Sequence, residues 1–283
     1  NAIRSMMGIT VGGILNIILD PILIFGFNMG ISGAAIATII SQFISFIILF
    51  VQTNYIDGSI KIRISNINFS FKIYKEILRT GLPTFYRQGL ASAATVFLNT
   101  SATPYGDAAI AAVSIVTRIT LFLYSAMIGF GQGYMPVAGF NYSAKQYSRV
   151  IEAFWFSVRV SATFLALVST IFFIFAPQVI SLFRGDDLEV IRIASRTLRF
   201  QCMVLPLHSF SIITNMTFQS LGFGLKATLS SSARQGIFFI PGILILPKLF
   251  GLTGIEITQA LSDALTFLLC LSLAIGVLRD LKA

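Results

Sequence analysis

The stretch SMMGITVGGILNIILDPILIFGF, residues 5–27, contains a single ionisable side chain, Asp20. A helix that crosses a bilayer needs about 20 mostly apolar residues, and it must satisfy its own backbone hydrogen bonds inside the lipid. The stretch therefore predicts a membrane-spanning helix. It follows Arg4 directly and shows no small-residue cleavage pattern, which argues against a signal peptide. Because the chain begins at Asn1 rather than Met, we expect further helices of the protein to precede it.

The composition of the whole chain is also typical of a membrane protein. Its 283 residues are 55% hydrophobic and 11% charged, with a mean hydropathy of +0.85, whereas soluble domains carry about 25% charged residues. The net charge of +9 comes from Lys and Arg that lie mainly between apolar runs, where an anionic leaflet attracts them. These features predict a bilayer as the partner and no nucleic acid, and they exclude soluble, disordered and disulfide-scaffold classes.

Cutting the chain at charge clusters and at Gly or Pro turns leaves eight apolar runs long enough to cross a membrane. The predicted spans are residues 5–27, 32–54, 80–102, 108–132, 155–177, 195–218, 228–248 and 253–278. Their lengths suit helices, and the alternation typical of porins is absent. The sequence therefore predicts an all-α, polytopic membrane protein.

The basic residues predict how these spans are oriented, because Lys and Arg stay on the cytoplasmic side. One set of alternate connections holds Arg4, Lys61, Arg63, Lys72, Lys75, Arg79, Lys145, Arg149, Lys226, Arg279 and Lys282. The opposite set has no Lys or Arg at residues 28–31 and 103–107 and contains Lys248; its other basic residues, Arg184 and Arg192, are diluted by Asp186, Asp187 and Glu189. The first set is thus predicted to be cytoplasmic, together with the C-terminus of a multi-pass plasma-membrane protein.

A short repeat predicts the domain organisation. The sequence Gly-Ile-Ser-Gly at residues 30–33 matches Gly-Leu-Thr-Gly at residues 251–254, and each follows an apolar helix with an internal proline. The two copies lie six spans apart, so they have the same orientation, as in transporters built from parallel six-helix halves. We therefore expect eight helices of twelve: residues 1–54 end an N-terminal lobe, residues 55–79 form a cytoplasmic linker, and residues 80–283 form a six-helix C-terminal lobe.

Asp20 is the main candidate for chemistry, because a carboxyl group inside an apolar helix is costly and is by default a functional candidate. Asn16 lies one turn earlier on the same face and can donate a hydrogen bond to it. Thr38, on the next antiparallel helix, is expected at a similar depth. A cluster of Asn16, Asp20 and Thr38 can exchange a proton or a sodium ion. The alternative is a neutral Asp20 that only stabilises the kink at Pro21.

Three other intramembrane residues are weaker candidates. His208 is a packing residue or a proton-relay partner, Arg234 anchors a helix end or lines a cavity, and Asp263 is a possible second polar site. No HExxH, GxSxG, GxxxxGK[ST] or Cys/His cluster occurs in the sequence. Hydrolase, ATPase and metalloenzyme functions therefore have no residues to support them, and we expect no enzyme and no cofactor beyond a coupling ion.

Five separated motifs resemble the multidrug and toxic compound extrusion (MATE) transporters. They are residues 16–21 (NIILDP), 29–38 (MGISGAAIAT), 81–83 (GLP), 131–145 (GQGYMPVAGFNYSAK) and 234–237 (RQGI) with Pro241. The resemblance implies two six-helix lobes that export cationic or amphipathic drugs by antiport with protons or sodium ions. It also places Asn16, Asp20 and Thr38 in the coupling and binding pocket.

The sequence departs from the family in two ways that affect this expectation. The family's first four helices, with an acidic residue of its first helix, are not in this chain. One branch also has a glutamate early in its seventh helix, where this sequence has Gln88, Ala91 and Ser92, which disfavours a coupling site in the C-terminal lobe. Two rival functions are a lipid-linked oligosaccharide flippase, which would have a cationic cavity, and an intramembrane enzyme. Neither the substrate nor the oligomeric state follows from the sequence.

Overall fold

The computed structural model describes residues 2–56, 70–185 and 187–281, and all regular secondary structure in them is helical. The α-helices are α1 (Ala2–Pro21), α2 (Gly30–Val51), α3 (Phe71–Ala102), α4 (Asp107–Ser143), α5 (Tyr147–Ile174), α6 (Ala176–Ser181), α7 (Leu188–Ser220), α8 (Gly224–Ser232), α9 (Ile240–Phe250) and α10 (Leu252–Asp280). Three π-helical segments, Ile22–Gly26, Gln52–Ile56 and Ala233–Phe239, extend α1, extend α2 and join α8 to α9. The predicted all-α class is confirmed.

A helical segment lies at each of the eight predicted spans. Six segments are long and apolar enough to cross a membrane by length and composition: Met7–Gly26, Gly30–Asn54, Asp107–Ser143, Tyr147–Ile174, Gly224–Phe250 and Leu252–Asp280. The other two, α3 and α7, carry several charged residues. That α3 and α7 also span the membrane stays a prediction.

Several helix boundaries differ from the predicted ones, and the two largest differences are at the end of α4 and at the start of α3. Helix α4 continues through Pro136 to Ser143 instead of ending at residue 132. Packing stabilises this continuation, since Tyr134 is buried and its hydroxyl lies 3.0 Å from the Thr217 hydroxyl of α7. Helix α3 begins at Phe71 rather than at residue 80. Most of the predicted linker, residues 57–69, lies outside the described residues, and its cytoplasmic placement stays a prediction.

The chain divides into two compact units, Asn1–Ile73 and Tyr74–Ala283. In the first unit, glycines of α1 bring it against α2: a Cβ at Gly8 would lie 2.6 Å from Leu49, and a Cβ at Gly12 would lie 2.7 Å from Ser45. The Ser45 hydroxyl also donates to the Gly8 carbonyl oxygen at 2.9 Å. Small residues thus let two antiparallel helices approach closely, as in membrane helix pairs generally.

The glycine repeat has the same structural role in both units. Gly30 and Gly251 have φ values of +55° and +58°, a conformation that L side chains rarely adopt. A Cβ at Gly33 or Gly254 would lie 2.8 Å and 2.3 Å, respectively, from backbone atoms of the preceding helix. The first glycine therefore permits the turn, and the second permits the next helix to pack against the previous one.

The second unit is organised around α7, which packs against α4, α5 and α10. Its apolar core includes Phe154, Phe210 and Phe267, whose rings meet edge to face at centroid distances of 5.8 and 5.4 Å. A smaller apolar cluster joins α3, α4, α9 and α10. Because neighbours cover much of α7, several of its polar residues are also buried, among them Gln201 and His208.

Candidate functional site

The structure joins two of the three residues predicted in the first unit. The Asn16 side-chain amide donates to Asp20 Oδ1 at 3.3 Å, and both side chains are half-buried. Thr38 is exposed, and its hydroxyl donates to the Ala34 carbonyl oxygen of its own helix at 2.9 Å. The described contacts do not connect Thr38 to Asp20. A role for the three residues in ion coupling stays a prediction.

The helix changes its winding directly after Asp20. Pro21 ends α1, and Ile22–Gly26 continues as a π-helix. Proline removes one backbone donor, and single π-helical turns inside α-helices are frequent at functional sites. The predicted distortion at Pro21 thus lies beside the predicted acid.

A second cluster of ionisable groups surrounds Asp263 in the other unit. Arg234 donates from Nε to Asp263 Oδ1 at 2.6 Å and from Nη2 to Oδ2 at 3.4 Å. Gln201 Nε2 donates to Oδ2 at 2.6 Å, and Gln259 Nε2 donates to Oδ1 at 2.9 Å. Asp263 is 1% exposed and Arg234 15% exposed. The carboxylate is therefore paired with a cation and accepts four hydrogen bonds while its own side chain is almost completely buried.

The backbone of Arg234 is held by the same helix as its side chain. Arg234 lies in the π-helical segment Ala233–Phe239. The Ser262 hydroxyl of α10 donates to the Arg234 carbonyl oxygen, and the neighbouring Asp263 binds the guanidinium. Consecutive residues of α10 thus fix the main chain and the side chain of Arg234 together.

Two aromatic rings extend the cluster on the other side of Arg234. Its guanidinium carbon lies 4.8 Å from the centroid of the Tyr124 ring, within the range of a cation–π interaction. The His208 ring stacks on Tyr124 at 5.1 Å with an interplanar angle of 24°. His208 is buried, and neither ring nitrogen has a hydrogen-bond partner among the described residues. The contacts of His208 are those of a packing residue.

A cavity of about 390 Å³ lies beside this cluster, entirely within the second unit. Most of the surface of its wall is apolar, and polar side chains reach it from α3, α4, α7, α8, the π-helical segment and α10. The polar and charged residues in its wall include Arg87, Gln88, Gln201, Arg234, Glu256 and Gln259. A cavity of this size, with a few converging polar groups, has the dimensions of a site for a drug-sized molecule.

Glu256 is the acidic residue of the cavity wall, and it lies one turn into α10. Its side chain is 3% exposed, and its Oε2 is 3.3 Å from Nε of Arg196, whose side chain is 56% exposed. Glu256, Gln259 and Asp263 follow one another at intervals of three and four residues, so they occupy one face of the helix. Helix α10 therefore presents a polar stripe within an otherwise apolar segment.

The Asp263 cluster thus contains Arg234 and Asp263, which were weaker candidates in the sequence. The cluster and the adjacent cavity also contain Gln201, Glu256 and Gln259, which the sequence analysis missed. The spacing of Glu256, Gln259 and Asp263 was the available signal. Gln88 and Ala91, the positions that disfavoured a coupling site in this lobe, also line the cavity. The buried carboxylates among the described residues of this unit, Glu256 and Asp263, lie on α10 instead.

Comparisons with known proteins give one consistent result. The MatE family matches residues 83–245. Multidrug export protein MepA of Staphylococcus saprophyticus is 30% identical over 281 residues, which cover 98% of this chain and 61% of the relative. MepA of Staphylococcus aureus strain NCTC 8325 is 31% identical over 280 residues, covering 98% and 60%. This chain thus spans about 60% of the length of these relatives.

Solved structures agree with the sequence relatives. A crystal structure of MATE in the straight conformation has a TM-score of 0.88 and 26% identity, covering 99% of this chain and 64% of that chain. An outward-facing multidrug resistance MATE family transporter of the MOP superfamily has a TM-score of 0.87 and 26% identity, covering 99% and 63%.

Proposed function

The chain belongs to the MatE family of multidrug efflux transporters, and on that premise we propose that it serves in a secondary active transporter. The proposed activity is the export of cationic or amphipathic drugs in exchange for protons or sodium ions. The relatives are named for multidrug export, and extending that activity to this chain is part of the proposal. The protein is a multi-pass membrane protein. We further propose that its C-terminus is cytoplasmic, as the distribution of Lys and Arg predicts.

The observation that carries the proposal is the cavity of about 390 Å³ among the helices of the second unit. Its apolar wall suits the body of an amphipathic molecule, and its polar groups suit a charged or hydrogen-bonding substituent. Proteins of this family are transporters rather than enzymes. We accordingly propose that the chain moves its ligand without altering it covalently.

The charges around the cavity do not favour a flippase for lipid-linked oligosaccharides. Each carboxylate at the cavity is paired with an arginine, Glu256 with Arg196 and Asp263 with Arg234. Among the described residues, Arg87 is then the cation of the wall without a carboxylate partner. A pyrophosphate headgroup carries several negative charges and needs more than one such cation. A cavity with one unmatched cation fits a substrate of lower charge better.

For the coupling ion we propose a site at Asp20, with Asn16 as its hydrogen-bond donor and Thr38 as a further polar group. The 3.3 Å contact from the Asn16 amide to Asp20 supports this assignment. A carboxyl group in an apolar segment gains or loses a proton, or binds a cation, with a large change in its interaction energy. Such a group can therefore link an ion gradient to a conformational change.

The experiment measures ethidium efflux from cells that express the protein or its Asp20→Asn variant at matched membrane levels. Asn keeps the shape and a hydrogen-bond acceptor but does not titrate, so we expect most gradient-driven efflux to be lost. Asp107→Asn, at an exposed position, is the control and should keep normal efflux. Asn16→Ala and Thr38→Ala should weaken transport.

Two results would contradict the proposal. Efflux that survives collapse of both the proton and the sodium gradient, but stops on ATP depletion, would exclude secondary transport. Normal efflux by Asp20→Asn, with unchanged dependence on pH and sodium, would assign Asp20 to stabilising the kink at Pro21.

A further inference from the structure

We infer that Glu256 is the residue of the second unit's cavity that binds the positive charge of a lipophilic monovalent cation, and that Arg196 is its internal competitor. The inference rests on the proposed export of cationic substrates and names a recognition residue for it. The inference rests on a difference between the two carboxylates near the cavity, Asp263 and Glu256, in the hydrogen bonds and charge partners that each one has.

Asp263 has no capacity left for a ligand. Its two oxygens accept four hydrogen bonds, two of them from the buried guanidinium of Arg234. Separating this pair would leave a buried cation without a counter-charge, which is strongly destabilising. A ligand cation that enters the cavity therefore does not replace Arg234.

Glu256 differs from Asp263 in each of these respects. It is in the cavity wall itself, and its buried Oε2 accepts no hydrogen bond from the described residues. Its charge partner there is Arg196, with the two atoms 3.3 Å apart. A buried carboxylate with one ion-pair partner, and with an oxygen that accepts no hydrogen bond, retains capacity for a second cation.

Arg196 can leave this pair at little cost. More than half of its side chain is exposed, so water solvates the guanidinium when the pair opens. The low cost applies to Arg196 alone, because Glu256 is 3% exposed and, without a cation beside it, would be a costly unpaired buried charge. Arg196 also contacts the Phe200 ring, with the guanidinium carbon 5.8 Å from the centroid, which offers it a position on the helix surface. A cation in the cavity would then replace Arg196 as the partner of Glu256.

The other charges near the cavity make Glu256 necessary for this binding. Arg87 lines the cavity, and its Nε has no hydrogen-bond partner among the described residues. Arg192, one turn before Arg196, adds positive potential at Glu256. Both oppose a cationic ligand, so such a ligand binds only if the carboxylate offsets them. Tyr124 and Phe239 in the wall can contact its apolar body.

The test measures binding of tetraphenylphosphonium to the purified full chain in nanodiscs by calorimetry. This probe carries a permanent charge, and triphenylphosphine oxide serves as a neutral aromatic control ligand. Glu256→Gln should weaken tetraphenylphosphonium binding about tenfold, the effect of losing one nearby opposite charge. Binding of the neutral ligand should stay within about twofold. Glu152→Gln, the same change at an exposed position, should alter neither.

Arg196→Gln provides a test that leaves the carboxylate in place. Removing the competitor should tighten tetraphenylphosphonium binding about threefold, while Arg159→Gln, at an exposed position, should have no effect. The Glu256→Gln/Arg196→Gln double variant should bind like Glu256→Gln alone. Wild-type affinity in Glu256→Gln, or weaker binding in Arg196→Gln, would overturn the inference while the proposed function stands. If the wild-type chain binds no lipophilic cation, both the inference and the proposed substrate class fail.

Discussion

Replacing Asp263 by Asn should destabilise the second unit more than any exposed Asp→Asn change. The substitution keeps the size of the side chain and removes its charge. Arg234 would then lie 15% exposed beside a neutral amide, because its other close neighbour, the Tyr124 ring, carries no net charge. Removing one partner of a buried ion pair costs about 3–5 kcal/mol. Arg234 is the cation that pairs with Asp263 and donates two of its four hydrogen bonds, so the uncompensated charge of Arg234 should be the main source of that cost.

The assay is the free energy of unfolding of the chain in mixed micelles, obtained by titration with SDS. We expect a loss of about 3–5 kcal/mol for Asp263→Asn and of less than about 1 kcal/mol for the control Asp107→Asn, which is exposed in the first turn of α4. In a double-mutant cycle with Arg234→Gln, the coupling energy should be at least about 2 kcal/mol. A loss no larger than that of Asp107→Asn, or a coupling energy near zero, would refute the argument that this pair holds α10 to the π-helical segment.

Two further predictions concern packing and topology. Gly254→Ala should lower the free energy of unfolding by about 1–3 kcal/mol, because its Cβ would lie 2.3 Å from the Leu246 carbonyl oxygen, whereas Gly129→Ala, with no atom within 4 Å, should cost nothing. A loss in both or in neither would contradict the close-packing role of the repeat. Cysteines placed at Ser59 or Ser65 should resist impermeant thiol reagents in intact cells, because residues 55–79 carry five of the 20 basic residues, and a cysteine at the exposed Thr103 should react. Labelling of Ser59→Cys in intact cells would invert the predicted topology, and the native Cys202 and Cys270 are buried and should stay silent.

Hydrophobic length was sufficient to predict where the helices lie, because it reflects a requirement that each segment meets by itself. The contact between Asn16 and Asp20 was predictable for the same reason: a separation of four residues determines proximity within one helix. The end of α4 was not predictable, because the stretch from Gly131 to Pro136 favours a turn locally. Its continuation depends on tertiary contacts such as the one between Tyr134 and Thr217.

The Asp263 cluster was beyond the reach of the sequence because its members come from separate helices. Gln201 and Asp263 are 62 residues apart, and Arg234 and Asp263 are 29 apart. A single sequence does not determine which faces of α7, the π-helical segment and α10 meet. An acid in an apolar helix indicates that a partner exists, and the fold decides which residue it is.

The internal repeat shows why the arrangement of the helices is easier to predict than the positions of the buried ionisable residues. At the offset that relates Gly30 to Gly251, Gly33 matches Gly254, and each pair has the same backbone role in the structure. At the same offset Asp20 matches Pro241 and Asp263 matches Gln42, so neither acid has an acidic counterpart. A left-handed turn favours glycine, and a glycine whose Cβ would overlap the backbone of the preceding helix is hard to replace, because any side chain would clash. A buried acid needs only a nearby donor or cation, and a neighbouring helix can supply one at many positions. The two units can therefore share a helical frame while each places its ionisable groups on different helices, with Asp20 before the glycine motif in one unit and Glu256 and Asp263 after it in the other.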